Sequence, residues 1–401
     1  MNPPPLLGGR GTGPPPQQQP AGPGPAPAPA PAPGLVSIIS SLQRLYPNQR
    51  NPLQVTAVVK YWLGGPDPLD YINMFLNPGS EDSEPHWHYV SCGLSDLHGD
   101  ARVHPPAPSP DHPSGYGFEL SFRLRKEQGQ TSPPTWPANL LNSISKYVFE
   151  SENKLVPGDH CNWGKPLDGS TSLCRHLLVA EDPQLAGLQT ALGRVTFLQL
   201  VGVTDEELSA VQRWNGPGVS RLLQSSPETG GSLLVTNTFR RSLFDIRPES
   251  RGLVERGIAR EGSNLCGMAA LISWVEADTS ARPGQVDSPE GRAGGLSALS
   301  NWEALARQCD RLIEADYSSR VSHPRTVALA CNLDTARSLP LCVQGRLRHG
   351  FHFTLKSILR ETAVTFVVPK VAGTLVTPDK PFAAQGDWLQ VHVTYHLPLA
   401  D

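Results

Sequence analysis

The stretch GYGFELSFRLRKE, residues 115–127, constrains this chain more than any other. Phe118, Leu120, Phe122 and Leu124 alternate with Glu119, Ser121, Arg123 and Arg125. That two-residue period is the mark of a strand with one apolar and one polar face. It predicts a half-buried strand, its polar side chains turned to water, of the kind antiparallel sheets use. The other elements must supply strands to pair with it and helices to cover it.

Those elements follow along the sequence. Leu35, Ile38, Ile39, Leu42, Leu45 and Tyr46 recur at helical spacing before Pro47. Leu53, Val55, Ala57, Val59, Tyr61 and Leu63 share one face at period two, although VTAVVKYWL also tolerates a helix. DPLDYINMF is ambiguous between the two. Residues 84–93 read as a strand in which Trp87 and Tyr89 alternate with His86, His88 and Val90, and RVHPPAPSPDHPSG as a Pro-rich loop. Pro137 suits the first turn of a helix carrying Leu140, Leu141, Ile144 and Val148. VTFLQLVGV, residues 195–203, is a buried strand, and Thr204 with Glu207 has the spacing of a capping box for a helix ending near Trp214-Asn215-Gly216. LLVTNT and SLFDI read as short strands around a turn.

From Gly262 the pattern restarts. NLCGMAALISW, residues 264–274, reads as one strand, followed by a polar Gly-rich linker and a helix at about 302–315. LPLCVQGRLRH, FHFTLKSI, TAVTFVVP and WLQVHVTYHL read as closing strands. Helices and strands mix without strict alternation, so the expectation is an α+β fold. Two mixed, largely antiparallel sheet domains with flanking helices follow a disordered Pro-rich tail. The tail covers 1–34, where nearly every residue is Pro, Gly, Ala or Gln. The N-terminal domain covers 35–260 and the C-terminal domain 261–401, with a flexible linker at about 276–300.

Composition narrows the function classes. A net charge of −3 argues against a nucleic-acid binder driven by a basic field. No apolar run is long enough to span a bilayer, so the chain reads as soluble and unsecreted. Seven widely spaced cysteines, with no C-x-x-C pair, fit reduced thiols better than a disulfide framework.

His86 and His88 invite a metal reading, since residues two apart on a strand share a face, and Cys92 lies on that face too. Against it, His86 and Cys92 stand roughly 20 Å apart along a strand. No Glu follows H-x-H at the cupin-like position, and a site needs three or four convergent ligands. His160 and Cys161 are adjacent, hence on opposite faces of a strand, which argues against a catalytic pair. Phosphate-loop, nucleophile-elbow and dinucleotide motifs are absent from the sequence. Asp159, after a Pro-Gly turn and downstream of Tyr147, Phe149 and Glu150, has two readings. One is a turn carboxylate bonded to its own backbone; the other is part of an acidic and aromatic pocket for an extended basic peptide. Spacing leaves both open.

Nine runs carry a resemblance to a known family. They are RLYPNQRNPLQVTAVVKYWLGGPDPLDY, PHWHYVSCGLSDLHGD, GFELSFRLRKE, PPTWPANL, KYVFESEN, TFLQLVGVTDEEL, RWNG, GSNLCGMAA and GRLRHGFHFTLKSI. Together, covering nearly everything from residue 40 to 395, they closely resemble the Suppressor of fused family, negative regulators of Hedgehog signalling in animals. The resemblance implies a non-enzymatic protein with no cofactor and no metal, found in cytoplasm and nucleus. It implies two domains that clamp a Ser-Tyr-Gly-His-Leu-type segment of Gli-family zinc-finger transcription factors as an added strand, with no direct nucleic-acid or membrane contact. Asp159 and Tyr147 would meet the histidine of that segment, Asp159 through a charge-assisted bond of about 1.5–3 kcal/mol. Leu155, at a position that is aromatic in relatives, and Glu181 would line the N-domain side. Met268, Ala270, Leu341 and Val343 would supply C-domain contacts. Relatives carry a long charged insertion where this chain has a short linker, and continue with a helix and a strand past WLQVHVTYHL. Two other readings stand beside this one: a truncated paralogue that keeps the fold without peptide binding, and a metal-dependent enzyme using His86 and His88.

Overall fold

The computed structural model describes residues 32–276, 326–349, 351–358, 363–366 and 390–394. Its largest unit is an eight-stranded sheet. The strands are β1 (Leu53–Thr56), β2 (Tyr71–Asn77), β3 (His86–Cys92), β4 (Pro113–Arg125), β5 (His160–Cys161), β6 (His176–Glu181), β7 (Leu188–Thr190) and β8 (Gly193–Val203). They lie in the order β1-β2-β3-β4-β8-β6-β5, with β7 paired to β8. Only the β4–β8 pairing is parallel within this sheet.

One face of the sheet is apolar throughout. Phe118, Leu120, Phe122 and Leu124 of β4 pack with Trp87, Tyr89, Leu177, Val179, Leu198 and Leu200 beneath α2 (Trp136–Ser151). The helix contributes Leu140, Leu141, Ile144 and Val148, the stripe its sequence spacing predicts. Each such leucine is nearly or fully buried, which stabilises the fold by about 1.5–3 kcal/mol per side chain.

The other face differs from the sequence expectation. Glu119, Ser121 and Arg123 of β4 are fully buried rather than turned to water. Two further layers cover them. At one end Ile38, Leu42 and Tyr46 of α1 (Pro33–Leu45, with Tyr46 as its C-cap) pack on Phe75, Val90, Cys92 and Phe197. At the other, α3 (Asp205–Arg213), α4 (Gly216–Gln224), α5 (Leu243–Ile246) and α6 (Glu249–Glu261) cover Leu178, Ala180, Val201 and Val203. The polar face of β4 lies along the seam between these two apolar patches.

Several local expectations are corrected. Helix α1 begins at Pro33, with proline preset for its first turn, so order starts before Leu35. Residues 1–31 of the expected tail lie outside the described residues. The 53–63 run is strand only over β1, then a 3-10 turn at Tyr61–Leu63, and DPLDYINMF resolves as strand β2. LLVTNT forms no strand of its own; it touches β4 through one bridge, with Thr236 N donating to Arg123 O. SLFDI is the helix α5, because the Ser242 hydroxyl caps it by accepting from Phe244 N. α3 carries the capping box expected of Thr204 and Glu207. Helices α4 and α6 have no counterpart in the sequence reading.

The C-terminal part forms two small sheets. β9 (Gly267–Ala270), β12 (Phe353–Ser357) and β13 (Ala363–Phe366) order as β13-β12-β9; β10 (Ile272–Glu276), β11 (Thr326–Cys331) and β14 (Gln390–Thr394) order as β10-β11-β14. NLCGMAALISW is thus two strands in two sheets, split at Leu271. LPLCVQG is not a strand but the end of α7 (Leu333–Gly345). The Asn332 side chain caps that helix, and Thr335, Ala336, Leu339 and Cys342 form its buried stripe. Pro340, unfavourable inside a helix, hid this from the sequence. The helix expected at 302–315 and most of the linker lie outside the described residues.

The two parts join at Gly262, just past α6, with φ of 70°. A Cβ there would stand 2.5 Å from Leu341 O, so only glycine fits both the backbone and the contact. Beyond it Ser263 N donates to Leu341 O and Asn264 N to Trp214 O.

Candidate peptide-binding site

Three of the four N-domain residues lie on the segment that runs from α2 to β5, and the fourth ends β6. α2 ends at Glu152, whose left-handed φ of 57° turns the chain away from the helix. Tyr147, in the last turns of α2, is half-exposed, and its hydroxyl accepts from Asn153 Nδ2 at 2.8 Å. Leu155 packs against the core under α2. The chain then closes a tight turn: Asp159 Oδ2 accepts from Val156 N at 2.9 Å and Asp159 N donates to Val156 O at 3.1 Å. Asp159 is therefore a turn carboxylate, as one of its two sequence readings holds. Its Oδ1 has no hydrogen-bond partner among the described residues, which leaves the second reading physically available.

That turn sits on the edge of β6. Val179 N donates to Asp159 O and Gly158 N to Val179 O, both at 2.8 Å. Strand side chains and main-chain groups repeat every second residue. Glu181 therefore presents its main chain on the same edge as Val179, and its side chain on the α2 face with Leu177 and Val179. It is exposed at the strand end. Asp159 thus lies against Val179, two residues before Glu181 on β6, and Tyr147 and Leu155 lie on the segment leading into that turn.

The C-domain residues are arranged differently. Among the described residues β9 is an edge strand, paired in parallel with β12, with Leu355 opposite Met268 and Ser357 opposite Ala270. Thr354 N donates to Cys266 O and Ile358 N to Ala270 O. By alternation Cys266, Met268 and Ala270 turn their main chain to β12, and the free edge belongs to Gly267 and Ala269. Ala270 is buried in the C-terminal core, and Met268 and Val343 pack against it. Leu341 packs on the helices α3–α6 beneath the large sheet, at the junction between the two parts. Met268 and Ala270 thus lie on the edge strand with side chains turned inward, while Leu341 and Val343 lie on α7.

Directly behind Glu181 runs the buried seam. Asp182 points to the opposite face and takes Arg123 as a bidentate partner, Nη1 to Oδ2 at 2.7 Å and Nη2 to Oδ1 at 2.8 Å. Ser121 Oγ donates to Oδ2 at 2.6 Å, and Gln184 N and Leu185 N donate to Oδ1 at 2.9 Å. His88 Nε2 lies 3.2 Å from Oδ2, and its Nδ1 lies 2.8 Å from the Tyr46 hydroxyl. Burial, then the Arg123 charge, pushes the His88 imidazole down to about 4, so it is neutral at pH 7. Burial likewise pushes the Tyr46 hydroxyl up to about 12. The Asp182 carboxyl is held well below the usual range: burial opposes this, but the Arg123 charge and the His88 contact outweigh it.

The seam also holds the two histidines. His86 and His88 share a face as expected, yet both are fully buried, and His86 Nδ1 is bonded to the Glu84 carbonyl at 2.8 Å. Among the described residues no three His, Cys, Asp or Glu side chains converge as a metal site would require. Cys161 packs into the core under α2, whereas His160 lies beside Gln212 of α3 at 3.3 Å, so the two face apart. Among the described residues no helix is long and apolar enough to cross a membrane.

Sequence reasoning passed over Asp182, Gly267 and Ala269. The adjacent acids Glu181-Asp182 at a strand end were a usable signal, since alternation sends them to opposite faces.

Comparison with known proteins matches the same architecture. The family model "Suppressor of fused protein" matches residues 65–241, and "Suppressor of Fused Gli/Ci N terminal binding domain" matches residues 253–398. The Suppressor of fused homolog of Homo sapiens is 43 % identical over 405 residues, covering 90 % of this chain and 84 % of that protein. The Mus musculus homolog is 42 % identical over the same shares. The crystal structure of Drosophila Suppressor of Fused superposes with a TM-score of 0.70 at 38 % identity, covering 91 % of this chain and 88 % of that one. The Sufu-Fu complex crystal structure gives a TM-score of 0.53 at 51 % identity, over 55 % of this chain and 96 % of that one. The chain belongs to the Suppressor of fused family.

Proposed function

We propose that this protein is a non-enzymatic negative regulator of Hedgehog signalling that binds Gli-type zinc-finger transcription factors. It takes a short extended segment, Ser-Tyr-Gly-His-Leu in type, as an added strand between its two parts. On the N-terminal side Asp159 and Tyr147 receive the histidine, with Leu155 and Glu181 beside it. On the C-terminal side the free edge of β9 offers Gly267 and Ala269 main chain, with Met268 and Ala270 on the same strand and Leu341 and Val343 on α7. Binding retains the factor in the cytoplasm and suppresses it in the nucleus.

The observation that carries this reading is the chemistry of these N-terminal residues: a carboxylate with one free oxygen, a half-exposed tyrosine and a second acid beside an open strand edge. Strand addition draws affinity from main-chain bonds and selectivity from such side chains. The Gli/Ci binding-domain match over residues 253–398 supports the partner class.

Fluorescence anisotropy of the full chain with a labelled Ser-Tyr-Gly-His-Leu peptide tests it. Saturable binding is expected, lost both in Asp159→Arg and when the peptide histidine becomes alanine. A cooperatively folded wild type with no affinity would overturn the clamp and favour a paralogue that has lost peptide binding.

A further inference from the structure

Asp182 accepts hydrogen bonds from Ser121, Arg123, Gln184 N and Leu185 N, and it stands next to an exposed acid at the candidate site. We infer that Asp182 is a positioning residue for peptide binding: anchored by Ser121, Arg123 and His88, it fixes the end of β6 and so aims Glu181 at the strand edge. This inference rests on the function proposed above and names a residue that never touches the peptide.

The geometry runs in three steps. First, Glu181 and Asp182 are consecutive and point to opposite faces at the last registered pair of β6 with β8, so Asp182 supplies the side-chain support where the ladder ends. Second, Asp182 clamps both sides of that point. Its own N–H donates to Phe197 O at 3.0 Å, and its Oδ1 gathers Gln184 N and Leu185 N, closing the turn that ends β6. Third, Oδ2 is anchored in the seam by Ser121 and Arg123, with His88 alongside at 3.2 Å. These partners stand on β3 and β4, in the centre of the sheet. The strand end is thereby tied to the two central strands of the sheet. Buried ion pairs contribute little net stability compared with apolar packing, whereas they can specify one arrangement. Here the specified arrangement is the direction of Glu181.

Ser121→Ala is the mild test, since it removes one bond to Asp182 and leaves the Arg123 pair in place. Ser91→Ala is its control: Ser91 Oγ donates to the buried carboxylate of Glu119 at 2.6 Å and also accepts from Leu120 N at 2.8 Å, so it is a harsher loss of a buried hydroxyl away from β6. Two readouts on the full chain separate the possibilities. Amide hydrogen exchange should quicken about fivefold at residues 181–185 in Ser121→Ala, the effect of one lost buried hydrogen bond, and stay unchanged there in Ser91→Ala. Affinity for the labelled Ser-Tyr-Gly-His-Leu peptide should fall about fivefold in Ser121→Ala, and that loss should vanish when Glu181→Ala is already present.

Unchanged exchange at 181–185 would overturn the inference. So would an affinity loss that is equal with and without Glu181, because it would report general destabilisation. Quickened exchange in a protein whose wild type binds no peptide would keep Asp182 as the anchor of the strand end, and overturn the proposed function and the peptide role with it. Asp182→Asn, which leaves Arg123 buried beside a neutral amide, should give the same pattern more strongly wherever it folds.

Discussion

The two halves of the candidate site present themselves in opposite ways. On the N-terminal side Tyr147 is half-exposed, Asp159 sits in the turn against β6 and Glu181 is exposed at the end of that strand, so this half offers charged and aromatic side chains. On the C-terminal side Ala270 is buried and Met268 leans on the same core, so β9 offers a partner mostly main chain. A strand edge is chemically alike for any sequence, whereas charged and aromatic groups are not. On the proposed function, selectivity would then belong to the N-terminal half and sequence-independent affinity to the other.

The strongest way to break this contrast is Asp159→Arg. The substitution removes the carboxylate proposed to bond the peptide histidine and sets a cation in its place. Peptide binding should fall below detection by anisotropy. The circular dichroism spectrum should remain native, because Asp159 contributes one turn bond from its side chain and its main chain is unaltered. Measurable affinity in that variant would move selectivity away from this half.

A second difference lies in titration. The N-terminal half buries His86 and His88 beside Arg123, and burial lowers them to about 3 and about 4 respectively. Above about pH 6.5 such imidazoles are neutral in folded and unfolded chains alike. Between there and pH 4 the unfolded chain takes up protons that the folded chain refuses, so stability falls as pH falls. Each histidine contributes on the order of 3 kcal/mol of that loss at most. Asp182 acts lower still: its depressed carboxyl stabilises the fold above about pH 3.9 and loses that contribution as pH drops further. Urea midpoints between pH 7.5 and 4 should therefore decline for the wild type and decline less for His86→Gln. Equal slopes would show that His86 is not held neutral by burial.

The sequence made one of these halves more legible than the other, for a physical reason. Alternation along β3, β4 and β8 and the apolar stripe of α2 are local patterns, so the strands and the covering helix could be read directly. The polar face of β4 could not. Whether Glu119, Ser121 and Arg123 meet water or other layers depends on α1 and α3–α6, which are distant in sequence. The same blindness hid α7, where a proline inside an apolar run outweighed the buried stripe of Thr335, Ala336, Leu339 and Cys342. The site residues themselves came from family resemblance. Spacing alone left Asp159 between a turn and a pocket, and the hydrogen bond to Val156 N shows that the turn reading excludes nothing.

The C-terminal half yields the smaller effects, and their order sharpens the contrast. Ala269→Pro removes a main-chain donor from the free edge of β9 and leaves the bonds of Met268 and Ala270 to β12 in place. Edge strands tolerate proline on their open side. Peptide affinity should fall about tenfold, the cost of roughly one hydrogen bond, while the urea midpoint changes little. Met268→Leu conserves volume and apolarity at a side chain that faces the core, a swap that typically costs under about 1.5 kcal/mol of stability. Its effect on peptide affinity should be less than about twofold, because the main chain of residue 268 is turned toward β12. If Met268→Leu weakened the peptide more than Ala269→Pro, the C-terminal half would be reading side chains after all. Selectivity would then be shared across both halves.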